Sequence, residues 1–430
     1  MKITFLFLGL VLSFKPVVSV AQGDSKSENA KMLSDWIGLH LSLIRSTKGI
    51  SQGQVTKQFL LSGIAFYECV ASGNSKYRTL SGQLNQFDNI PKPLAATRHW
   101  SVIANSSYAA MLNKFFGGDL RSIGKIDSLE AVWNLKYVGR DNEGLTSSKS
   151  FGKKVAEFVL VWGSTDGSAA QNPPYELPKG DDKWTPTPPS FAPPAAPQMI
   201  NFRESVKGST NNTMPSPQFE FSSKQSSDFF KMAKEVFDKS VTLSQEEKAI
   251  ALFWDDLPDG RYYGAVGHWS SILRQVLLSD NVGLEKGAEA FVRMVIAAND
   301  AQLACWKAKY NYNLLRPVTY INKYMGEKEW KPLIVTPNHP EYPAAHATVS
   351  MAAAHALTQV LGKSVSFVDH TYDDLGFEAR EFRNFEAAAM EAGQSRLYGG
   401  IHFTPSIKAG YKVGEQVGEN ISRALRFALD

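Results

Sequence analysis

The chain has 430 residues, a net charge of +4 and 43% hydrophobic content, which together describe an ordinary globular protein. Lys and Arg do not gather in one run, so nothing points to nucleic acid or to a charged membrane surface. With only two cysteines, Cys69 and Cys305, there can be no disulfide framework and no cysteine-based zinc site.

The first residues read as an export signal. Lys2 gives a positive start, Ile3 to Phe14 an apolar run, and Ser19-Val20-Ala21 a small-residue cleavage site before Gln22. That run is too short to span a bilayer, and no second run of about 20 apolar residues follows. We therefore expect a signal peptide over 1–21 and a periplasmic or secreted protein without a membrane span. An oxidising compartment would permit a Cys69–Cys305 bond; two buried thiols in apolar, helix-like stretches fit the sequence equally well.

A mature chain of about 400 residues exceeds the usual single core, which favours two packed units. The apolar period is helical almost throughout. Leu33, Ile37, Leu41 and Ile44 mark one helical face, and Phe151, Val155, Phe158 and Trp162 another. Nine of the 21 prolines then fall between Pro173 and Pro197, a stretch that cannot be helix. The expected division is an N-terminal helical domain over 22–172, a proline-rich linker or arm over 173–200, and a C-terminal catalytic domain over 201–430. Ser244 with Glu247 reads as a capping box for the next helix. The expected fold class is all-α, with a four-helix bundle in the C-terminal half.

Chemistry-bearing residues cluster late in the chain. A long helical pattern from Leu284 to Tyr310 carries Lys309 near its end. Arg316 follows after six intervening residues, and Pro317 pushes it out of the α region. Two cations can thus converge from a helix end and a loop, although such a pair is by itself commonly just solvated. Next, His339-Pro340-Glu341-Tyr342-Pro343-Ala344-Ala345-His346 leads into a helix reaching about Leu361, with Gly362 as its stop. Pro343 suits a first turn. The N–H groups of Ala344, Ala345 and His346 would then lie at a helix N-terminus, where unpaired donors and the positive dipole end favour an anion. In the plainer reading His346 caps its own helix. Finally, Gly399-Gly400 allows a bend bringing Arg396 and His402 to one side, ahead of a helix started by Thr404 and Pro405.

Taken in order, these pieces resemble the signature shared by vanadium haloperoxidases, type 2 phosphatidic acid phosphatases and bacterial acid phosphatases. That signature is Lys-x6-Arg-Pro, then Pro-Ser-Gly-His, then Ser-Arg-x5-His-x3-Asp. Lys309, Arg316 and Pro317 match the first element, Pro343 and His346 the ends of the second, and Ser395, Arg396 and His402 the third. Gly267-His268-Trp269, Asp300 with Trp306, and the proline-rich arm look like secreted bacterial haloperoxidases more than small acid phosphatases.

The resemblance implies an orthovanadate or phosphate neutralised by Lys309, Arg316 and Arg396, with backbone donors from Ala344 and Ala345. His402 would be the apical partner, a vanadium ligand in a peroxidase or the nucleophile of a phosphohistidine route. His346 would be the general acid–base. The implied function is vanadate-dependent oxidation of halide by hydrogen peroxide. Hydrolysis of a phosphomonoester or lipid phosphate, and oxyanion binding with little turnover, are the alternatives; a homodimer is compatible with each.

Departures at two places in the pattern matter. Ala344 and Ala345 stand where the pattern has Ser and Gly, which keeps the backbone donors but removes a hydroxyl hydrogen bond to a charged group worth about 1.5–3 kcal/mol. Ser406 stands where it has Asp, so another acceptor must set the tautomer of His402. The helix N-terminus should hold His346 neutral near pH 7.

Overall fold

The computed structural model describes residues 30–428 apart from 95, 96, 98, 172 and 218. The expected signal peptide over 1–21 lies outside the described residues. Among the described residues, thirteen α-helices and one pair of three-residue strands make an all-helical fold, as the apolar period implies. No described helix is long and apolar enough to cross a membrane.

The N-terminal helices are α1 (Lys31–Ser46), α2 (Gln52–Ala71), α3 (Trp100–Phe116), α4 (Leu120–Asn134) and α5 (Asn142–Ser164). After the proline-rich segment come α6 (Asp228–Thr242), α7 (Gln245–Phe253), α8 (Ala265–Ser279) and α9 (Leu284–Tyr312). The rest are α10 (Pro317–Tyr324), α11 (Ala345–Leu361), α12 (Phe385–Tyr398) and α13 (Thr404–Ala424), with strands β1 (Phe367–Asp369) and β2 (Arg380–Phe382) between α11 and α12. The Ser244 capping box forms as its spacing implies: the hydroxyl accepts from the Glu247 N–H and the Glu247 carboxylate from the Ser244 N–H.

Helix α9 organises the molecule. Its 29 residues run about 44 Å. It is apolar nearly all round, with Ala288, Phe291, Ile296 and Ala298 wholly buried. One continuous core joins Trp36, Phe59, Tyr108 and Val155 of the N-terminal helices to Phe291, Leu357, Ala392 and Val417 of the C-terminal ones. Each fully buried large apolar side chain here contributes about 1.5–3 kcal/mol.

In the C-terminal half, α11 packs against α9, α12 and α13, giving the expected four-helix bundle. Small residues permit the close approach. A Cβ on Gly410 would lie 2.7 Å from the Ala344 carbonyl, and one on Gly414 would collide with the Thr348 carbonyl. Gly410, Gly414 and Gly418 thus form the stripe of α13 that lets α11 lie almost backbone to backbone against it.

The proline-rich segment is extended and bound to the bundle. Trp184 is fully buried, and its N–H donates to the Asn313 carbonyl at 2.7 Å. The Ala195 carbonyl accepts from the Tyr310 hydroxyl at 2.6 Å and from Trp306 Nε1 at 3.2 Å. Both thiols are free and buried, which decides the cysteine alternative against a bond.

Candidate active site

One cavity of about 530 Å³ is walled by the C-terminal bundle, the loop before α8 and the proline-rich arm. Arg396, His346, His402 and Ala345 line it, joined by Asp255, Asp256, Gln302, Trp306 and His339. Lys309 and Arg316 sit behind this wall and are wholly buried. Elements far apart in the chain therefore meet around one volume, with two of the cations one layer back.

Local sequence explains each placement. Lys309 lies in the last turn of α9 and sends Nζ to the carbonyls of Pro340 at 2.7 Å and Glu341 at 2.9 Å. Arg316 has the extended backbone expected before Pro317, with φ −80° and ψ 156°, and caps α10. Its guanidinium reaches the carbonyls of His339 and Ile401, each at 2.9 Å, and both His402 Nε2 and His339 Nδ1 at 3.0 Å. Arg396 ends α12, where Nε meets the Ser395 hydroxyl at 2.9 Å and Nη2 the Trp254 carbonyl. Gly400, at φ +77°, makes the bend that returns His402 to the same cavity.

The backbone donors need one correction. The Ala344 N–H is taken by the Ser406 carbonyl at 3.1 Å, so it is not free for an anion. Helix α11 begins at Ala345, which leaves Ala345 and His346 as its first N–H groups. The cause is tertiary: the tight α11–α13 contact places a carbonyl of α13 against Ala344.

Glu341 supplies the acceptor that Ser406 cannot. It is fully buried, and its Oε1 accepts from His402 Nδ1 at 2.8 Å and from the Phe403 N–H at 3.0 Å. Arg316 can only donate, so His402 Nε2 must be unprotonated and the ring proton lies on Nδ1. His402 thus presents a lone pair at Nε2, with its orientation held by a carboxylate. Burial and the neighbouring Arg316 and Lys309 charges hold His402 well below the ordinary imidazole range. Burial pushes the Glu341 carboxyl up to about 7, against the pull of Lys309 and Arg316.

His346 is held down to about 4 by burial first and by Arg396 next, opposed by Asp256. That direction agrees with the neutral ring expected from sequence, with burial as its leading cause. Its Nε2 faces Asp256 Oδ2 at 3.4 Å. Lys309 falls to about 7, and Arg316 to about 10, chiefly through burial.

None of Lys309, Arg316 and Arg396 forms an ion pair with a carboxylate among the described residues, although all three are buried. Glu341 acts on Lys309 and Arg316, and Asp255 and Asp256 on Arg396, but without ion-pair contact, and buried cations so loosely compensated are costly. A compact oxyanion against this wall would meet that need, so the residues present fit a vanadate or phosphate.

Three residues of the site carry no role in the sequence motifs: Glu341, His339 and Asp256. Glu341 and His339 stood in the quoted loop, and a lone acid among prolines was the available signal. Asp256 carried none.

A family model described as the VCPO second helical-bundle domain matches residues 289–429. A solved structure titled as the first bacterial vanadium-dependent iodoperoxidase is 30% identical, with a TM-score of 0.85 over 94% of this chain and 98% of that one. The chain belongs to the vanadium-dependent haloperoxidase family. Holo- and apo-type structures of a bacterial vanadium-dependent chloroperoxidase share the fold, each at 16% identity, with TM-scores of 0.66 and 0.65. The holo-type match covers 87% of this chain and 93% of that one, the apo-type match 88% and 95%. No curated protein matches the sequence. These likenesses support a haloperoxidase-type enzyme.

Proposed function

We propose that this protein is a vanadate-dependent haloperoxidase that oxidises halide with hydrogen peroxide. The observation that carries this reading is the group of three buried cations, none in ion-pair contact with a carboxylate, beside a histidine whose Nε2 lone pair is held in place by Glu341. Vanadate, when bound, would supply a Lewis-acidic centre that activates peroxide toward halide.

The chain's own residues would do the rest. His402 Nε2 would be the single protein ligand to the metal, exchanging its hydrogen bond from Arg316 Nη1 for that contact. Glu341 would keep the ring proton on Nδ1 and the ring aimed. Arg396 and Arg316 would neutralise the oxyanion through charge-assisted hydrogen bonds, Arg316 by releasing His339. Lys309 would add charge from behind, and Ala345 and His346 backbone N–H groups from the start of α11. Neutral His346 would accept a proton from peroxide and return it to the departing oxygen. The apolar wall of Trp306, Met199, Val335 and Leu257 would limit water around the reacting oxygens. Export to the periplasm or beyond, from the Lys2–Ala21 signal, belongs to the same reading.

A paired assay tests this. Apo-protein is loaded with vanadate and given peroxide with iodide, the halide in the name of the 30% identical relative, and then with bromide. A parallel sample without vanadate receives a phosphomonoester. Vanadate-dependent halide oxidation with negligible phosphate release is the expected result. Phosphate release without oxidation would reject the proposal in favour of a phosphohistidine hydrolase.

A further inference from the structure

Behind His346 lies a chain of buried groups that the proposed oxyanion site does not use. His268, on α8, has both ring nitrogens against carboxylates: Nδ1 is 2.8 Å from Asp256 Oδ1, and Nε2 is 2.8 Å from Asp369 Oδ2. The three side chains are 0%, 1% and 0% exposed. Two carboxylates can each receive a ring N–H only if both nitrogens carry protons, so His268 is an imidazolium. Its two counter-charges outweigh burial and push it up to about 10.

Asp256 and Asp369 are themselves held in place. Asp256 Oδ1 also accepts from the Tyr372 hydroxyl at 2.7 Å, and Asp369 Oδ1 from the Thr371 N–H at 2.9 Å. Trp254 stacks on the His268 ring, with centroids 4.2 Å apart.

A purely structural staple would tie α8 to β1 and to the loop after α7, and would end there. This one does not. Asp256 Oδ2 and His346 Nε2 face each other at 3.4 Å, and both are buried without any hydrogen-bond partner. Two unspent polar atoms separated by a few tenths of an ångström more than a hydrogen bond form a contact that strengthens when His346 becomes charged.

We propose that Asp369, His268 and Asp256 form a positioning ladder that aims His346 and stabilises its protonated form. The inference rests on the reading of His346 as the acid–base of the haloperoxidase site. Asp256 keeps the Nε2 proton of His346 turned toward itself, leaving Nδ1 for the reactant. A proton from a peroxide O–H then passes to Nδ1, Nε2 keeps its own, and Asp256 balances the imidazolium. The return step delivers that same proton from Nδ1 to the departing oxygen. His268 keeps Asp256 ionised and weakly basic, so the proton remains on His346; Asp369 neutralises His268. The three groups together carry one negative charge. The other charged or titratable groups around His346 are Arg396 on α12, His339 in the loop before α11, and Asp255 beside Asp256.

The test begins with apo wild-type protein, whose histidine rings are ¹⁵N-labelled and followed by NMR against pH, with His346→Gln assigning the resonance. His268 should carry protons on both nitrogens at neutral pH, and neutral His346 should carry its proton on Nε2. Either a neutral His268 or an Nδ1–H tautomer of His346 overturns the ladder, without any variant having to fold. In Asp369→Asn and Asp256→Asn the titration of His346 should move to lower pH, by about one unit or more for Asp256→Asn, a ten-fold or larger loss of basicity. Turnover of the vanadate-loaded variants should fall in the same order and the acid limb of the pH profile should move down, while vanadate affinity and KM for peroxide change little. A folded Asp256→Asn with an unmoved His346 titration and unmoved turnover rejects the proposal. The expected NMR result in a wild type that oxidises no halide would overturn the haloperoxidase reading and leave the ladder standing.

Discussion

His402 and His268 are the same residue type, both fully or almost fully buried in one half of the molecule, yet they are held in opposite states. His402 stands among Lys309 and Arg316, takes one donor at Nε2, gives one proton to Glu341, and stays neutral. His268 stands between Asp256 and Asp369, gives protons on both sides, and stays charged. Burial opposes charge at both positions, so the sign of the neighbours decides. His346 lies on the border, with Arg396 on one side and Asp256 on the other. A ring caught between opposed fields is suited to gaining and losing a proton, whereas the two flanking histidines are suited to holding still.

Removing the lone pair on the cationic side should have the largest effect. His402→Ala should abolish vanadate binding in equilibrium dialysis and with it all vanadate-dependent turnover, while the helical circular dichroism is retained. Unchanged vanadate affinity in that variant would show that the apical assignment is wrong. On the border, His346→Ala removes no ligand and no permanent charge. Vanadate should still bind, about several-fold more weakly, but turnover should drop about 10²–10⁴-fold. Near-normal halide oxidation with a lowered Tm would instead make His346 a cap of α11.

A subtler change sharpens the contrast at its carboxylate. Glu341→Gln keeps the shape of the side chain but not its charge, and so loosens the orientation of His402. Vanadate affinity should fall about 10–100-fold, as is usual when the partner of a ligating histidine is altered. A change below about three-fold would demote Glu341 to packing.

The smallest effect is a pH dependence of binding. Lys309 is depressed to about 7 in the folded apo-protein, so it is charged below that value and neutral above it. Affinity for an oxyanion should therefore weaken as pH rises through about 7, by less than ten-fold since Arg316 and Arg396 remain charged. The same shift has a stability sign. Between about 7 and the ordinary 10.5 the unfolded chain binds the extra proton, so this residue's contribution makes folding more favourable as pH rises across that window. A Lys309→Met protein should lose both slopes in dialysis and in thermal melts.

The site was readable in part because five of its side chains follow strict local spacing. Six residues between Lys309 and Arg316 correspond to a helix end and the turn after it, and five between Arg396 and His402 to a glycine bend. Such intervals follow from chain geometry and survive in one dimension. Glu341 was harder, because its partner His402 lies 61 positions away and no spacing rule links a loop acid to a distant imidazole. His268 and Asp369 are 101 positions apart and meet only because β1 returns across α8. The arm was recognisable as non-helical from its prolines, whereas its place in the cavity wall, through Ala195, Ala196 and Met199, was not.

The sequence by itself determined the helical class, the major helix boundaries and the candidate site residues, since periodicity, caps, prolines and short-range motif spacing are properties of neighbouring residues. Tertiary structure decided which of those residues line the cavity and which stand behind it, that Ser406 claims the Ala344 N–H, that Glu341 replaces the missing aspartate, and that His268 is charged. Each of these depends on burial and on the sign of charges brought within about 3 Å by packing of distant segments, and a Coulomb or hydrogen-bond energy is a function of that distance rather than of separation along the chain.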